Sequence, residues 1–434
     1  MSMRTFVLVF LGTINNYVKK LLNKSLLPVN NRMLALIFCT VMSVFILLFL
    51  IGIVNNPAGD QMNVFFIKTN NLFADFLNNL RYIADKDPYF NTVNGYQEKI
   101  YLPLVYMMLY PFSSLDSYST MVPGITSISV LIYTFISLSI LFISLFSLCK
   151  DSKYKLWILA VLFFSSITLF SIERGNTILI TSGFVISFLA LYKSPNKSYR
   201  FFALVFLSLA ATFKVYPVLL GLLLLKNRDY QGIIISGVLT LLLVFLPFFF
   251  FEHGYENIDK LISNVGLNSS SYGPERLYQR FGLPHLTYYA SSYVLGISEN
   301  VTQFLITASS IATVVLSIIS IILSFLVKDQ WKEVALIIFV IIMFPTNSGL
   351  YSGLYFFPVI ILFLIKEEKT KLDLLYLFLF FLFLNPFQVV IEGSGVSSIN
   401  SYLSNISILS LWLITIVTSS VEYYFLHKSK LQKK

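Results

Sequence analysis

Histidine and cysteine are nearly missing from this chain. Three histidines and two cysteines occur in 434 residues. Cys39 and Cys149 each lie in or at the end of an apolar run, so they supply neither a disulfide framework nor metal-ligand spacing. His253 and His285 stand 32 positions apart with no ligand spacing near them, and are expected to be ordinary polar loop residues. No zinc motif, P-loop, dinucleotide fingerprint or nucleophile elbow is present, so no cofactor is implied, and the need for a divalent metal is left open. Charge is also scarce. Only 12% of residues are Asp, Glu, Lys or Arg, about half the roughly 25% of a soluble domain.

Hydrophobic residues take the place of charge. They make up 56% of the chain, and mean hydropathy is +0.77. Apolar runs recur along the whole length, at about 33–53, 100–112, 120–148, 156–172, 177–192, 201–213, 215–225, 231–251, 302–327, 333–345, 352–365, 372–384 and 403–426. The first holds 21 residues, or about 31 Å of helix, enough to cross a bilayer. The fold class expected is all-α, a polytopic transmembrane bundle of about 11–13 helices, residues 33–427 forming one domain.

The net charge of +10 is not that of a nucleic-acid binder, because no stacking platform or basic helix accompanies it. The positives gather at the ends and in short loops. Arg4, Lys19, Lys20, Lys24 and Arg32 precede the first span, and Lys428, Lys430, Lys433 and Lys434 close the chain. Residues 1–32 therefore read as a cytoplasmic or interfacial segment and 428–434 as a cytoplasmic tail. The basic loops 150–155, 193–200, 226–228, 328–332 and 366–371 read as inward-facing. Polar stretches without such clusters, chiefly 55–99, 252–300 and 385–401, read as outward-facing. Thirteen apolar segments conflict with two cytoplasmic termini, so at least one segment is expected not to cross. Tyr101 to Tyr110 is one candidate, and the pair 201–225 is another, broken at Lys214-Val215-Tyr216-Pro217, where a broken helix is expected to line a cavity.

Few polar residues are placed to do chemistry. The island 55–99 carries Asp60, Asp75, Asp85, Asp87 and Glu98 beside the bilayer. Asp75 lies in an amphipathic stretch, Leu72 to Ala84, where a carboxylate could take a proton from a hydroxyl at the membrane surface. Asp60 is the alternative base, and Asp87 is expected to serve the turn before Pro88. Glu173-Arg174-Gly175-Asn176 interrupts an apolar stretch, and ionisable groups at that depth mark function or pair with one another. Arg174 and the isolated Lys214 suit a phosphate, as do Arg276 and Arg280, four apart on one helix face.

Taken in order, these motifs resemble a known family. Ala-Asp-Phe-Leu-Asn (74–78), Asp-Pro-Tyr (87–89), Tyr-Leu-Pro-Leu (101–104), Glu-Arg-Gly-Asn (173–176), Lys-Val-Tyr-Pro (214–217), Asn-Ser-Ser (268–270) and Pro-Thr-Asn-Ser-Gly-Leu-Tyr (345–351) are similar to the polyprenyl-phosphate-sugar-dependent transferases of the GT-C fold, in particular glycosyltransferase family 87 with its mannosyltransferases. The resemblance implies an inverting glycosyltransferase in a bacterial cytoplasmic membrane, its active site facing outward. A polyprenyl-phosphate sugar would be the donor and a cell-surface glycan or glycolipid the acceptor. Asp75 would be the base, with Asp60 as runner-up. Arg174, Lys214, Arg276 and Arg280 would hold the donor phosphate, supported by Glu173, Asn176, Tyr216 and Tyr89. A lipid-linked sugar flippase and a surface polysaccharide polymerase are the rival readings. A flippase needs no acidic first loop and often shows two related halves, and a polymerase typically carries arginines in its large outer loop.

The expected topology has a direct test. A cysteine placed at Asn94 should react with a membrane-impermeant maleimide in intact cells. Labelling only after permeabilisation would put the acidic island on the wrong face.

Overall fold

The computed structural model describes residues 28–29, 36–44, 47, 73–113, 128–149, 154–271, 280–345, 348–366, 369–385 and 399–431. Asp60, Arg276 and most of the 385–401 loop lie outside the described residues. The described chain is helical apart from a two-residue antiparallel pairing of Pro28–Val29 with Lys369–Thr370 and an isolated bridge between Arg280 and Gly349. It is a polytopic membrane bundle. Among the described residues, four helices are long and apolar enough to span: Ile128–Leu148, Tyr230–Phe250, Glu299–Leu326 and Tyr402–Tyr424. Lys155–Phe163 and Ser166–Arg174 add a fifth if the 52° bend between them is counted within one span.

The Glu299–Leu326 helix shows how a bilayer reverses the usual amphipathic logic. Phe304, Ile311 and Ile318, one heptad apart, are 70%, 61% and 54% exposed, as lipid-facing residues would be. Thr302, Ser309, Thr313, Ser317, Ser320 and Ser324 are buried against the protein. Most of these hydroxyls donate to their own helix, for example Thr313 to the Ser309 carbonyl at 2.9 Å and Ser317 to the Thr313 carbonyl at 2.7 Å. Small side chains admit close approach where apolar burial drives nothing. Gly183 does the same between helices Ile178–Leu191 and Ile128–Leu148, for a Cβ there would sit 2.6 Å from the Ile140 side chain. The centre of the bundle is Gln330–Met343, buried on every side.

The polar islands fold as well. Phe76, Leu77, Leu80 and Ile83 repeat at helical spacing, and Ala74–Ile83 is a helix with that face buried. In the second island, Glu256–Ser271 is a helix laid across the first. Asn264 donates to the Tyr89 and Lys99 carbonyls (3.1 and 3.4 Å), and Asn268 donates to the Gln97 carbonyl at 2.8 Å. Lys99 is fully buried, donates to the Val93 carbonyl and to that of Gly95 (2.7 Å), and lies 4.3 Å from the Tyr82 ring centre. Burial pushes its ammonium down to about 8, with Glu98 pulling the other way. One expectation is corrected here. The Asp87 carboxylate pairs with His253 of the second island, and it is the Asp85 carboxylate that accepts the turn N–H, from Asp87 at 3.2 Å. Periodicity carries no signal for a partner 166 residues away.

The basic loops meet at the opposite end. Buried Glu333 faces Lys226 at 3.4 Å and Lys193 at 3.8 Å. Lys332 pairs with Glu422, and Lys366 lies 3.9 Å from both Asp329 and Asp373. The Pro28–Val29 strand and the C-terminal helix both join this end, through Lys369–Thr370 and Glu422.

The Glu-Arg-Gly-Asn segment is a helix stop and a helix start. Ser166–Arg174 ends at Gly175, whose left-handed backbone (φ 61°) donates to the Ile172 carbonyl at 2.9 Å, while Asn176 N–H reaches Ser171 at 3.3 Å. The Asn176 side chain then accepts from Ile178 N–H at 3.0 Å, opening the next helix. A Cβ on Gly175 would lie 2.9 Å from the Phe76 Cβ. Gly175→Ala should therefore lower stability by about 1–2 kcal/mol from backbone conformation alone, with the clash added. A thermal melt of the detergent-purified protein checks this, and an unchanged midpoint would contradict it.

Candidate active site

The Ala74–Ile83 helix docks its first turn on the Glu-Arg-Gly-Asn turn. Phe73 N–H donates to the Glu173 carbonyl at 2.6 Å, from a left-handed backbone of its own (φ 55°). That contact sets the helix start beside Arg174. The Arg174 guanidinium then pairs with Asp75 Oδ1, and Asn176 Nδ2 donates to Asp75 Oδ2 at 2.6 Å. Both oxygens of one carboxylate are thus held by a turn about 100 residues further along the chain. Side-chain exposures of 16% for Asp75 and 28% for Arg174 leave the pair open to a small ligand.

Lys214 arrives from the other side. Lys197–Phe213 is capped at its start by Asn196 and stops at Lys214, whose backbone is extended (φ −145°, ψ 127°). Tyr216–Leu220 is a 3-10 turn and Gly221–Lys226 a short α-helix, so the break expected at Lys214 to Pro217 is present. The break turns the lysine inward. Its Nζ donates to the Tyr101 hydroxyl at 3.1 Å and lies 4.3 Å from the centre of that ring. Asn176 Nδ2 is 3.5 Å from the same hydroxyl. Tyr351, from the Leu350–Phe356 segment, stacks on Phe170 at 5.8 Å and lies within electrostatic reach of Lys214, Asp75, Tyr101 and Arg174.

Of the residues singled out in the sequence, Asp75, Arg174, Asn176 and Lys214 come together. Glu173 is buried, and it takes part through its backbone, whose carbonyl holds Phe73. Tyr89 does not join the cluster through its ring. It is packed against Tyr106, Phe248 and Phe251, and its hydroxyl donates to the Tyr101 carbonyl at 2.7 Å, so it supports the site from behind. Tyr216 is 42% exposed, and no hydrogen bond among the described residues joins it to the cluster. Arg280 lies on the bridge to Gly349, two residues from Tyr351, with its carbonyl held by Asn405 at 3.0 Å. Among the described residues no group of three His, Cys, Asp or Glu is arranged to hold a metal ion. Two participants, Tyr101 and Tyr351, lie within short motifs of the sequence that point to no role for either ring. The only sequence signal was Tyr101's place just before the proline that opens Pro103–Ser113.

Chemically, the cluster offers one carboxylate, two cations and two phenols at a helix break next to lipid-facing helices. No curated protein and no solved structure matches the chain. The family model for glycosyltransferase family 87 matches residues 100–345, a stretch that includes Tyr101, Arg174, Asn176 and Lys214 and stops short of Asp75 and Tyr351. With more than half its length matched, the chain belongs to glycosyltransferase family 87 and is a membrane glycosyltransferase.

Proposed function

We propose that the enzyme moves a sugar from a polyprenyl-phosphate donor to a surface glycan or glycolipid, with inversion, on the outer face of a bacterial cytoplasmic membrane. The observation that carries this reading is the charge of the hydrogen-bonded cluster. Arg174 is matched by the Asp75 carboxylate, whereas Lys214 is hydrogen-bonded to a neutral phenol, which leaves its positive charge without a bonded counter-charge in a half-buried place. Such a surplus is costly unless an anion joins it. A sugar phosphodiester carries one negative charge and would bring the cluster to neutrality. A lipid tail would keep that phosphate at the bilayer, where these helices lie. The outward assignment draws support from the two ends of the bundle. The acidic islands fold on one another beside Asp75, while the basic loops gather with the C-terminal helix at the other end.

In the reaction, the acceptor hydroxyl oxygen attacks the anomeric carbon from the face opposite the phosphate. Asp75 takes the hydroxyl proton as the new C–O bond forms. The bond from the anomeric carbon to the phosphate oxygen breaks, and polyprenyl phosphate leaves with the electron pair. Arg174 and Lys214 stabilise the charge that develops on it. Arg174 has five N–H donors, enough to keep Asp75 oriented while meeting a phosphate oxygen. Asn176 holds the second carboxylate oxygen, which fixes the direction from which the proton arrives. Arg280 approaches from the Tyr351 side and would meet the donor there.

Two outcomes are expected. Asp75→Asn should lower sugar transfer by about 10²–10⁴-fold while polyprenyl-phosphate binding persists. Asp60→Asn, Asp85→Asn and Asp87→Asn should be milder. A dead Asp60→Asn beside an active Asp75→Asn would move the base to Asp60, and full activity in all four would remove the first island from the chemistry. Lys214→Ala and Arg174→Ala should each weaken binding of polyprenyl phosphate by roughly ten- to a hundredfold, the cost of one charged hydrogen bond. Equilibrium binding to protein in nanodiscs measures this, and unchanged affinity in both would make the cations structural.

A further inference from the structure

Lys214 and Arg174 are held in different ways. Arg174 is tied to a carboxylate, whereas no ion pair among the described residues includes Lys214. The partner of Lys214 is neutral. The Tyr101 hydroxyl takes one of its three N–H donors at 3.1 Å, and the ring face of the same residue lies 4.3 Å from Nζ. A phenol orients an ammonium without cancelling its charge, which a carboxylate would do.

Tyr101 is itself fixed from several directions. Its carbonyl accepts the Tyr89 hydroxyl at 2.7 Å, and its ring meets Tyr106 edge-on at 6.2 Å. Asn264, from the second polar island, bonds the carbonyls of Tyr89 and Lys99. Pro103, two residues on, opens the next helix. Lys214, by contrast, has four rotatable side-chain bonds, so a backbone that turns it inward at the helix break still leaves its ammonium to be placed by a side-chain partner.

We infer that Tyr101 is a positioning residue: its hydroxyl and ring hold Lys214 toward Asp75 and Arg174 with its charge uncommitted, ready for a phosphate. This rests on the proposed role of Lys214 as a donor-phosphate ligand. Tyr101 acts through Lys214, so its contribution should vanish when the lysine is gone.

The test is a double-mutant cycle on the full chain in nanodiscs, with undecaprenyl phosphate as the binding probe. Tyr101→Phe keeps the ring and removes the hydroxyl, and should weaken binding about tenfold, the loss of one hydrogen bond to a charged group. Tyr101→Leu, which also removes the ring face, should fall further, toward Lys214→Ala. In the Lys214→Ala background, Tyr101→Phe should change affinity by less than about twofold. Should Tyr101→Phe not fold, Tyr101→Trp keeps a ring face without an oxygen acceptor and takes its place. Equal losses in both backgrounds would show that Tyr101 acts apart from Lys214 and would overturn the inference, as would unaltered affinity in Tyr101→Phe beside an impaired Lys214→Ala. Normal affinity in Lys214→Ala itself would instead bring down the donor-phosphate reading.

Discussion

The ion pair between Asp75 and Arg174 joins two parts of the chain with little else in common. One is a short helix in a polar island, the other the end of a bent, largely apolar helical pair. Each charge alone would be expensive at that depth, and together, with Asn176 on the second oxygen, they are satisfied. The pairing is possible only because Gly175 lets one helix stop and the next begin within a single turn, and because nothing larger than a hydrogen occupies the face turned to Phe76. Site geometry and helix docking are therefore one constraint. Whatever aligns the carboxylate also seats the island on the bundle.

The second island matters through the first. Glu256–Ser271 touches neither Asp75 nor Lys214 through any hydrogen bond among the described residues, yet its asparagines hold the backbone that leads up to Tyr101, at Tyr89, Gln97 and Lys99, and His253 beside it holds Asp87. The short helical segment after Lys214 is held at its far end as well. There Lys226 donates to the Ser324 and Val327 carbonyls at 2.7 and 2.8 Å and faces Glu333. A lysine capping a helix C-terminus satisfies orphan carbonyls and meets the negative end of the dipole.

Much of this was legible in the sequence, for one physical reason. In a chain with so little charge, each polar residue inside an apolar run is conspicuous, as Arg174, Asn176 and Lys214 are, while Asp75 stands out as an acid in an amphipathic stretch of a polar island. The helical bundle followed from hydropathy, and the interruption at Lys214 from the nearby proline. Sequence could not say which polar residues meet. Asp75 and Arg174 are 99 positions apart, and Tyr101 and Lys214 113 apart, and no periodicity encodes such contacts. Tyrosine was hard to read because 26 of them are spread through the chain, where most serve packing. The Asp87 carboxylate was misread for a related reason. An aspartate before a proline has an obvious local use, and the longer-range partner is invisible.

The serine and threonine stripe of Glu299–Leu326 has a mechanical consequence. Its hydroxyls bond mainly to carbonyls of their own helix, so this interface with the bundle is held by contact rather than by directional bonds. Among the described residues, its bonds to other helices gather toward the Leu326 end, where Ser320 accepts from Trp412 at 2.6 Å and the last carbonyls accept from Lys226. The helix is thus bonded near one tip and seated elsewhere mainly by packing, so its tilt is set by the shape of the surfaces it lies on. At its other end the helix begins beside the chain that runs from Arg280 to Val294, so the packing that sets the tilt also sets where that chain lies.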